Sequence, residues 1–207
     1  MQKKAIIYDL DNTIYPVSAI GDILFKPLFD LIIESRLHNN DYDAIRKAIM
    51  RTPFRLVAQR FKFSEELTQK GIDLQEEMEY NKAIAPFDDY PEIHTITAER
   101  FLVTTGFRKM QLSKIKHLGI ENDFKEAHVV NPTVTSKKEV FADILKRYNY
   151  SPEEVFVVGD DPESEIGAAK ALGIPTILYD KNNLYNAEEA DYAISHFKEL
   201  VTIYNTK

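Results

Sequence analysis

A doubly wound α/β fold is predicted by three observations: short apolar runs that recur along the chain, helical patterns between them, and one long helical segment that interrupts the alternation near the N-terminus. The first run is AIIYDL (5–10), closed by aspartates. Further runs are RFLVTT (100–105), AHVVN (127–131), EVFVVGD (154–160), PTILYD (175–180) and DYAIS (191–195). Each is continuous rather than alternating and rich in β-branched or aromatic residues, as expected of strands covered on both faces. Between them, residues 107–119 set Met110, Ile115 and Leu118 near one helical face, and residues 136–149 do the same with Val140, Phe141, Ile144, Leu145 and Tyr148. Gly119 and Gly173 stand where helix ends favour glycine. Strand, helix, strand in this order reads as a parallel sheet with right-handed crossovers.

Residues 15–90 break the rhythm. There Asp41 is expected as the N-cap of a helix stopped by Pro53, and Ser64 as the cap of another with Leu67, Leu74 and Met78 on one stripe. Pro27 opens a helix or kinks one. The predicted organisation is a core of residues 1–14 and 91–207 with a helical cap at 15–90.

Composition narrows the function classes. The formal net charge is −7 with the acids spread along the chain and no basic block, which argues against a nucleic-acid partner. No cysteine is present, so a metal must use oxygen or imidazole ligands. No apolar stretch reaches membrane-spanning length and no leader pattern precedes the first run, so a cytoplasmic location without membrane contact is expected. The oligomeric state is open.

In an open parallel sheet, ligands bind beyond the carboxyl ends of the strands, at the switch point of strand order. That rule selects Asp9 and Asp11 after the first run, Thr104, Thr105 and Gly106 after the second, the segment through Lys137 and Lys138 after the third, and Asp160 and Asp161 after the fourth. Two carboxylates crowded at one strand mouth repel, raise each other's pKa and call for a cation.

Taken together, DLDNT, LVTTG, SKKEVF and VVGDDPESEIGAAKALGIP resemble, in order and strand context, the four motifs of the haloacid dehalogenase-like superfamily of phosphatases, with the cap in its common place after the first motif. The resemblance implies a Rossmann-like core and a Mg²⁺-dependent phosphomonoesterase. It gives Asp9 the role of nucleophile, forming an aspartyl-phosphate, and Asp11 that of general acid and base, for which a raised pKa would suit it. Mg²⁺ would rest on the Asp9 carboxylate, the Asp11 backbone carbonyl and the Asp160 carboxylate. Thr104 would bond the phosphoryl group, helped by backbone N–H groups at Thr105 and Gly106, and Lys137 would neutralise charge. The register of Lys137, Lys138, Glu139, Val140 and Phe141 favours Lys137 over Lys138. Asp161 before Pro162 reads equally as a helix cap and as support for the metal, and Glu165 stands where many relatives carry an aspartate, so that its metal contact could run through water. Cap closure would hinge at residues 12–18 and 85–91.

DLDNTIYP leans mildly toward nucleotide 5′-monophosphates; other small phosphomonoesters, a sugar phosphomutase and a non-catalytic phospholigand-binding protein remain alternatives. His38, His94, His117, His128 and His196 are scattered and read as structural, as do Phe54, Phe61 and Phe63 in the cap; Asn12 and Tyr15 directly follow the first motif and could face substrate, while a turn residue and a packing aromatic explain them equally.

Overall fold

The computed structural model describes residues 3–36, 41–131 and 134–206. His38 lies outside them. Six parallel strands form one sheet: β1 (Ala5–Tyr8), β2 (Glu99–Thr105), β3 (Glu126–Val130), β4 (Val155–Gly159), β5 (Thr176–Tyr179) and β6 (Tyr192–Ile194). Their order is β3-β2-β1-β4-β5-β6, so the chain winds outward in one direction from β1 and in the other from β4. The switch point falls between β1 and β4, which pair with Tyr8 opposite Val158, and the Asp9 N–H continues that ladder to the Val158 carbonyl at 2.9 Å.

The alternation of side chains across β1 explains the layers. Ala5 and Ile7 pack with Phe101, Val103, Val155 and Val157 beneath Phe141 and Ile144 of helix α7 (Lys137–Tyr148). Ile6 and Tyr8 point the other way, into a cluster with Leu102, Phe156 and Tyr179 that is covered by Met110, Ile115 and Leu118 of α6 (Arg108–Leu118) and by Phe197 and Leu200 of α9 (Phe197–Asn205). Burying each large apolar side chain contributes about 1.5–3 kcal/mol, which is why both faces of the strands are apolar.

Between β1 and β2 lie five helices: α1 (Gly21–Leu24), α2 (Lys26–Ser35), α3 (Tyr42–Ile49), α4 (Phe54–Arg60) and α5 (Glu65–Glu77). Outside this insertion, besides α6, α7 and α9, a short helix α8 (Gly167–Lys170) follows β4. Pro27 falls in the first turn of α2, where its missing N–H costs nothing, so it does not kink a helix. Ser64 caps α5 through the Leu67 N–H at 3.2 Å. Asp41 occupies the N-cap position of α3 without making the capping bond, because its backbone (φ −92°, ψ 19°) departs from the extended form that aims a cap side chain at the helix. Phe54, Phe61 and Phe63 stack within the insertion, at ring separations of 6.2 and 6.5 Å.

The insertion's ends are tied to the core. The Phe87 N–H bonds the Ile14 carbonyl at 2.8 Å, joining the outgoing and returning segments. Earlier on the returning segment, the Tyr80 N–H bonds Ser113 Oγ at 2.9 Å and the Ile84 N–H bonds the His117 carbonyl at 3.0 Å, both on α6.

Candidate active site

Asp9, Asp160 and Glu165 are drawn together at the switch point. Asp9 follows β1, Asp160 follows β4, and Glu165 returns from a wide π turn, Pro162–Ile166. One carboxylate oxygen of each lies within 4.8 Å of the others. Gly159 makes this convergence possible: a Cβ there would stand 2.1 Å from Glu165 Oε1, so any side chain would evict the Glu165 carboxylate. Glu165 is buried, accepts the Asp161 N–H at 2.8 Å and receives the Lys137 ammonium at 2.6 Å. Lys137 also reaches Asp9 at 2.6 Å.

Lys137 is aimed there by the start of α7. Ser136 and Glu139 form a reciprocal capping box that fixes the first turn, so the first helical residue projects into the site while Lys138 faces solvent. Asp161 acts as the cap of the π turn, accepting from the Glu163 and Ser164 N–H groups at 2.9 and 3.3 Å. These bonds, made by Oδ1, match the capping reading its sequence allowed.

Asp11 lies in a second cluster. Lys114 Nζ holds both its oxygens, at 2.9 and 3.0 Å, Gln111 Nε2 donates to it at 2.9 Å, and the Tyr15 hydroxyl bonds it as well. The same Gln111 amide donates to Thr104 Oγ1 at 2.6 Å and to the Thr105 carbonyl at 3.1 Å. Thr104 is buried, and as an acceptor of that bond it keeps its own hydroxyl hydrogen for another partner. The Gly106 N–H, expected to point at a phosphate, instead extends the sheet to the Val130 carbonyl at 3.0 Å. That expectation is corrected: the amide is committed where β2 still runs beside β3.

Charge follows the same division. Burial pushes Asp9 up to about 7, with the negative charges of Glu165 and Asp11 adding to the rise and Lys137 opposing it. Burial likewise pushes Asp160 up to about 8, helped by Glu165 and Asp9 and opposed by Arg51. Against the cost of burial, the Asp9 and Glu165 charges hold Lys137 well above the ordinary lysine range. Asp11 departs from expectation. Burial alone would raise its pKa, but the Lys114 charge and the bonds from Tyr15, Gln111 and Lys114 outweigh it and hold the carboxyl below its ordinary value. The expected raised Asp11 is therefore replaced by an ionised one, because its counter-charge comes from a helix far along the chain.

Three clustered carboxylates answered by one ammonium and, at Asp160 alone, by the Arg51 guanidinium are still short of positive charge, and their all-oxygen donor set suits a hard divalent ion such as Mg²⁺. Glu165 places a carboxylate oxygen within that group. The histidines stay structural: His94 is 3.7 Å from Asp123, His117 packs edge-on to Tyr80, His128 bonds Glu126 at 2.7 Å and His196 caps α9. Asn12 takes a left-handed turn (φ 58°) and accepts the Val17 N–H.

Three side chains at the site escape sequence reasoning, and the bond of a fourth, Tyr15, to Asp11 does as well. Gln111 and Lys114 share the buried face of α6 with Met110, Ile115 and Leu118, and a polar pair on an apolar stripe is the signal that could have marked them. Tyr15 serves as packing aromatic and as donor to Asp11. Arg51, in the turn after α3, reaches Asp160 at 2.8 Å and carries no local signal at all.

Residues 6–179 match the model of the family described as haloacid dehalogenase-like hydrolase. A glyceraldehyde 3-phosphate phosphatase of Methanocaldococcus jannaschii is 26% identical, covering 97% of this chain and 96% of the relative, and one of Pyrococcus furiosus is 23% identical over 97% and 92%. Among solved structures, a haloacid dehalogenase-like hydrolase of Streptococcus pneumoniae superposes with a TM-score of 0.75 at 18% identity, covering 98% of both chains. A magnesium-bound HAD hydrolase of Bacillus subtilis does so at 0.68 and 20%, covering 99% of this chain and 100% of that one. With a family model spanning most of its length and the fold in agreement, this chain belongs to the haloacid dehalogenase-like hydrolases.

Proposed function

We propose that this protein is a Mg²⁺-dependent phosphatase that hydrolyses small phosphomonoesters through an aspartyl-phosphate on Asp9. The observation that carries the proposal is the gathering of Asp9, Asp160 and Glu165 within 4.8 Å, with Lys137 bonded to both Asp9 and Glu165. Asp9, Asp160 and Glu165 would hold the ion, together with the Asp11 backbone carbonyl that the family resemblance supplies. When bound, Mg²⁺ neutralises the carboxylates and the phosphoryl oxygens.

The chain's own residues do the rest. An Asp9 carboxylate oxygen attacks phosphorus, a P–O bond forms, and the bond to the alcohol oxygen breaks. Asp11, ionised in the free site, takes up a proton as the ester binds and gives it to that oxygen. It then takes a proton from water, whose oxygen attacks phosphorus, releasing inorganic phosphate and restoring Asp9. The Asp11 carboxylate gripped by Lys114 is the form that acts in this second half. Thr104 and Lys137 steady the phosphoryl group, and the helical insertion serves as a cap that shields it from bulk water.

The relatives named for glyceraldehyde 3-phosphate support a small phosphorylated metabolite as substrate. The lean toward nucleotide 5′-monophosphates rests on DLDNTIYP alone. The test is a panel of metabolite phosphomonoesters with Mg²⁺, reading both free phosphate and rearranged ester. Phosphate release that stops with chelator is the expected result. No release from any ester, or rates indifferent to chelator, would overturn the proposal.

A further inference from the structure

A cavity of about 560 Å³ opens beside Asp160, between α3 of the insertion and the loop after β5. Arg46, Lys47, Arg51 and Lys181 line it, with Asp22, Asp160 and Asp180. Most of these charges are already satisfied nearby. Arg46 forks onto Asp22, Lys181 bonds Asp88 and Asp89 at 2.6 and 3.2 Å, and Asp180 accepts the Leu184 and Tyr185 N–H groups at 2.9 and 2.8 Å. Two cations are left. Lys47 is exposed and has no acidic partner among the described residues. Arg51, four residues on, pairs with Asp160 at 2.8 Å and touches the Tyr185 hydroxyl at 3.4 Å.

Asp160 is a poor permanent partner for Arg51, since its carboxylate also belongs to the cation-seeking cluster with Asp9 and Glu165. An ion there takes up Asp160's charge and leaves the guanidinium facing the cavity with free N–H donors. The cavity shares Asp160 with the cluster that contains Asp9, and Asn12, next to Asp11, lines it as well, so it adjoins the place where a phosphomonoester would sit.

We infer that Arg51 and Lys47 form a cationic subsite that selects phosphomonoesters carrying a second anionic group, a carboxylate or another phosphate, on the alcohol portion. Such a planar, multiply bonding guanidinium suits either group. The inference rests on the phosphatase reading above. It separates from the relatives' named substrate, because glyceraldehyde 3-phosphate has no second anion.

Matched esters test it: 3-phosphoglycerate against glyceraldehyde 3-phosphate, and glycerol 1,3-bisphosphate against glycerol 3-phosphate. The wild type is expected to favour the doubly anionic member of at least one pair by roughly tenfold in kcat/KM, the pair identifying carboxylate or phosphate as the preferred group. Arg51→Gln should collapse that ratio toward one, Arg51→Lys should keep part of it, and Arg55→Gln, an exposed charge outside the cavity, should leave it in place. Calorimetric binding of the same pairs to Asp9→Asn in Mg²⁺ reads the subsite without turnover. A preference in binding that Arg51→Gln removes sustains the inference even where no ester is hydrolysed, in which case the phosphatase reading alone fails. Equal affinity for both members of each pair, or a preference that survives Arg51→Gln, overturns it.

Discussion

Asp9 and Lys137 make the residue-scale argument testable. Replacing Asp9 by Asn keeps its shape and removes one of several crowded negative charges while Lys137 retains Glu165. Asp9→Asn should abolish phosphate release yet unfold within about 1 kcal/mol of the wild type in urea. Full activity would show that the nucleophile is another group. Lys137→Met is the opposite case. It strips two buried carboxylates, Asp9 and Glu165, of their shared ammonium and should cost roughly 3 kcal/mol in metal-free buffer, read by the same denaturation. The positions of Asp9 and Asp160 were legible because strand-end carboxylates stand in sequence beside the strands that carry them. The state of Asp11 was not. Lys114 is 103 residues away, and only the packing of α6 decides that its ammonium, rather than bulk water, meets that carboxylate.

At the scale of elements, the capping box at α7 links helix stability to the site. Ser136→Ala removes one of its two bonds and should lower stability by about 1 kcal/mol, measured in urea. A second element-scale link joins α7 to the edge strand β3. The bonds from Arg147 first, and then those from Tyr148 and His128, hold the Glu126 carboxyl far below its ordinary range against a modest desolvation cost. A depressed carboxyl stabilises the fold above its unfolded-state value and loses that contribution as pH falls toward its folded-state value. Glu126→Gln should therefore cost about 0.5–1 kcal/mol at neutral pH, with the difference from wild type starting to shrink below roughly pH 4.5 and continuing to shrink as the solution is made more acidic, as thermal melts across pH would show. A deficit that persists unchanged in acid would contradict the assignment. The strands were legible because continuous apolar runs must be buried on both faces. The capping bond expected of Asp41 was not formed, since a cap depends on backbone angles that neighbouring packing imposes. Helix α4 carried only its aromatics as a signal, and a seven-residue helix is too short for periodicity to declare.

For the whole molecule, an ion that binds only the folded chain must raise its melting temperature. Mg²⁺ at about a hundredfold excess over its dissociation constant contributes roughly 2.7 kcal/mol, or about 5–10 °C for a chain of this size. Scanning calorimetry should show that rise, chelator should reverse it, and Asp160→Asn should remove most of it. An unchanged melting temperature would mean that the three carboxylates hold no ion.

The stitching of Tyr80 and Ile84 onto α6 has a mechanical consequence. The strap by which the insertion re-enters the sheet is sewn to the helix whose Gln111 and Lys114 grip Asp11. Any swing of the insertion must either unfasten that seam or drag the helix with it. If the insertion moves as the proposed cap, its motion and the aim of the Asp11 carboxylate are geared to one another, so a substitution far out on the insertion should alter the grip on Asp11 without touching it.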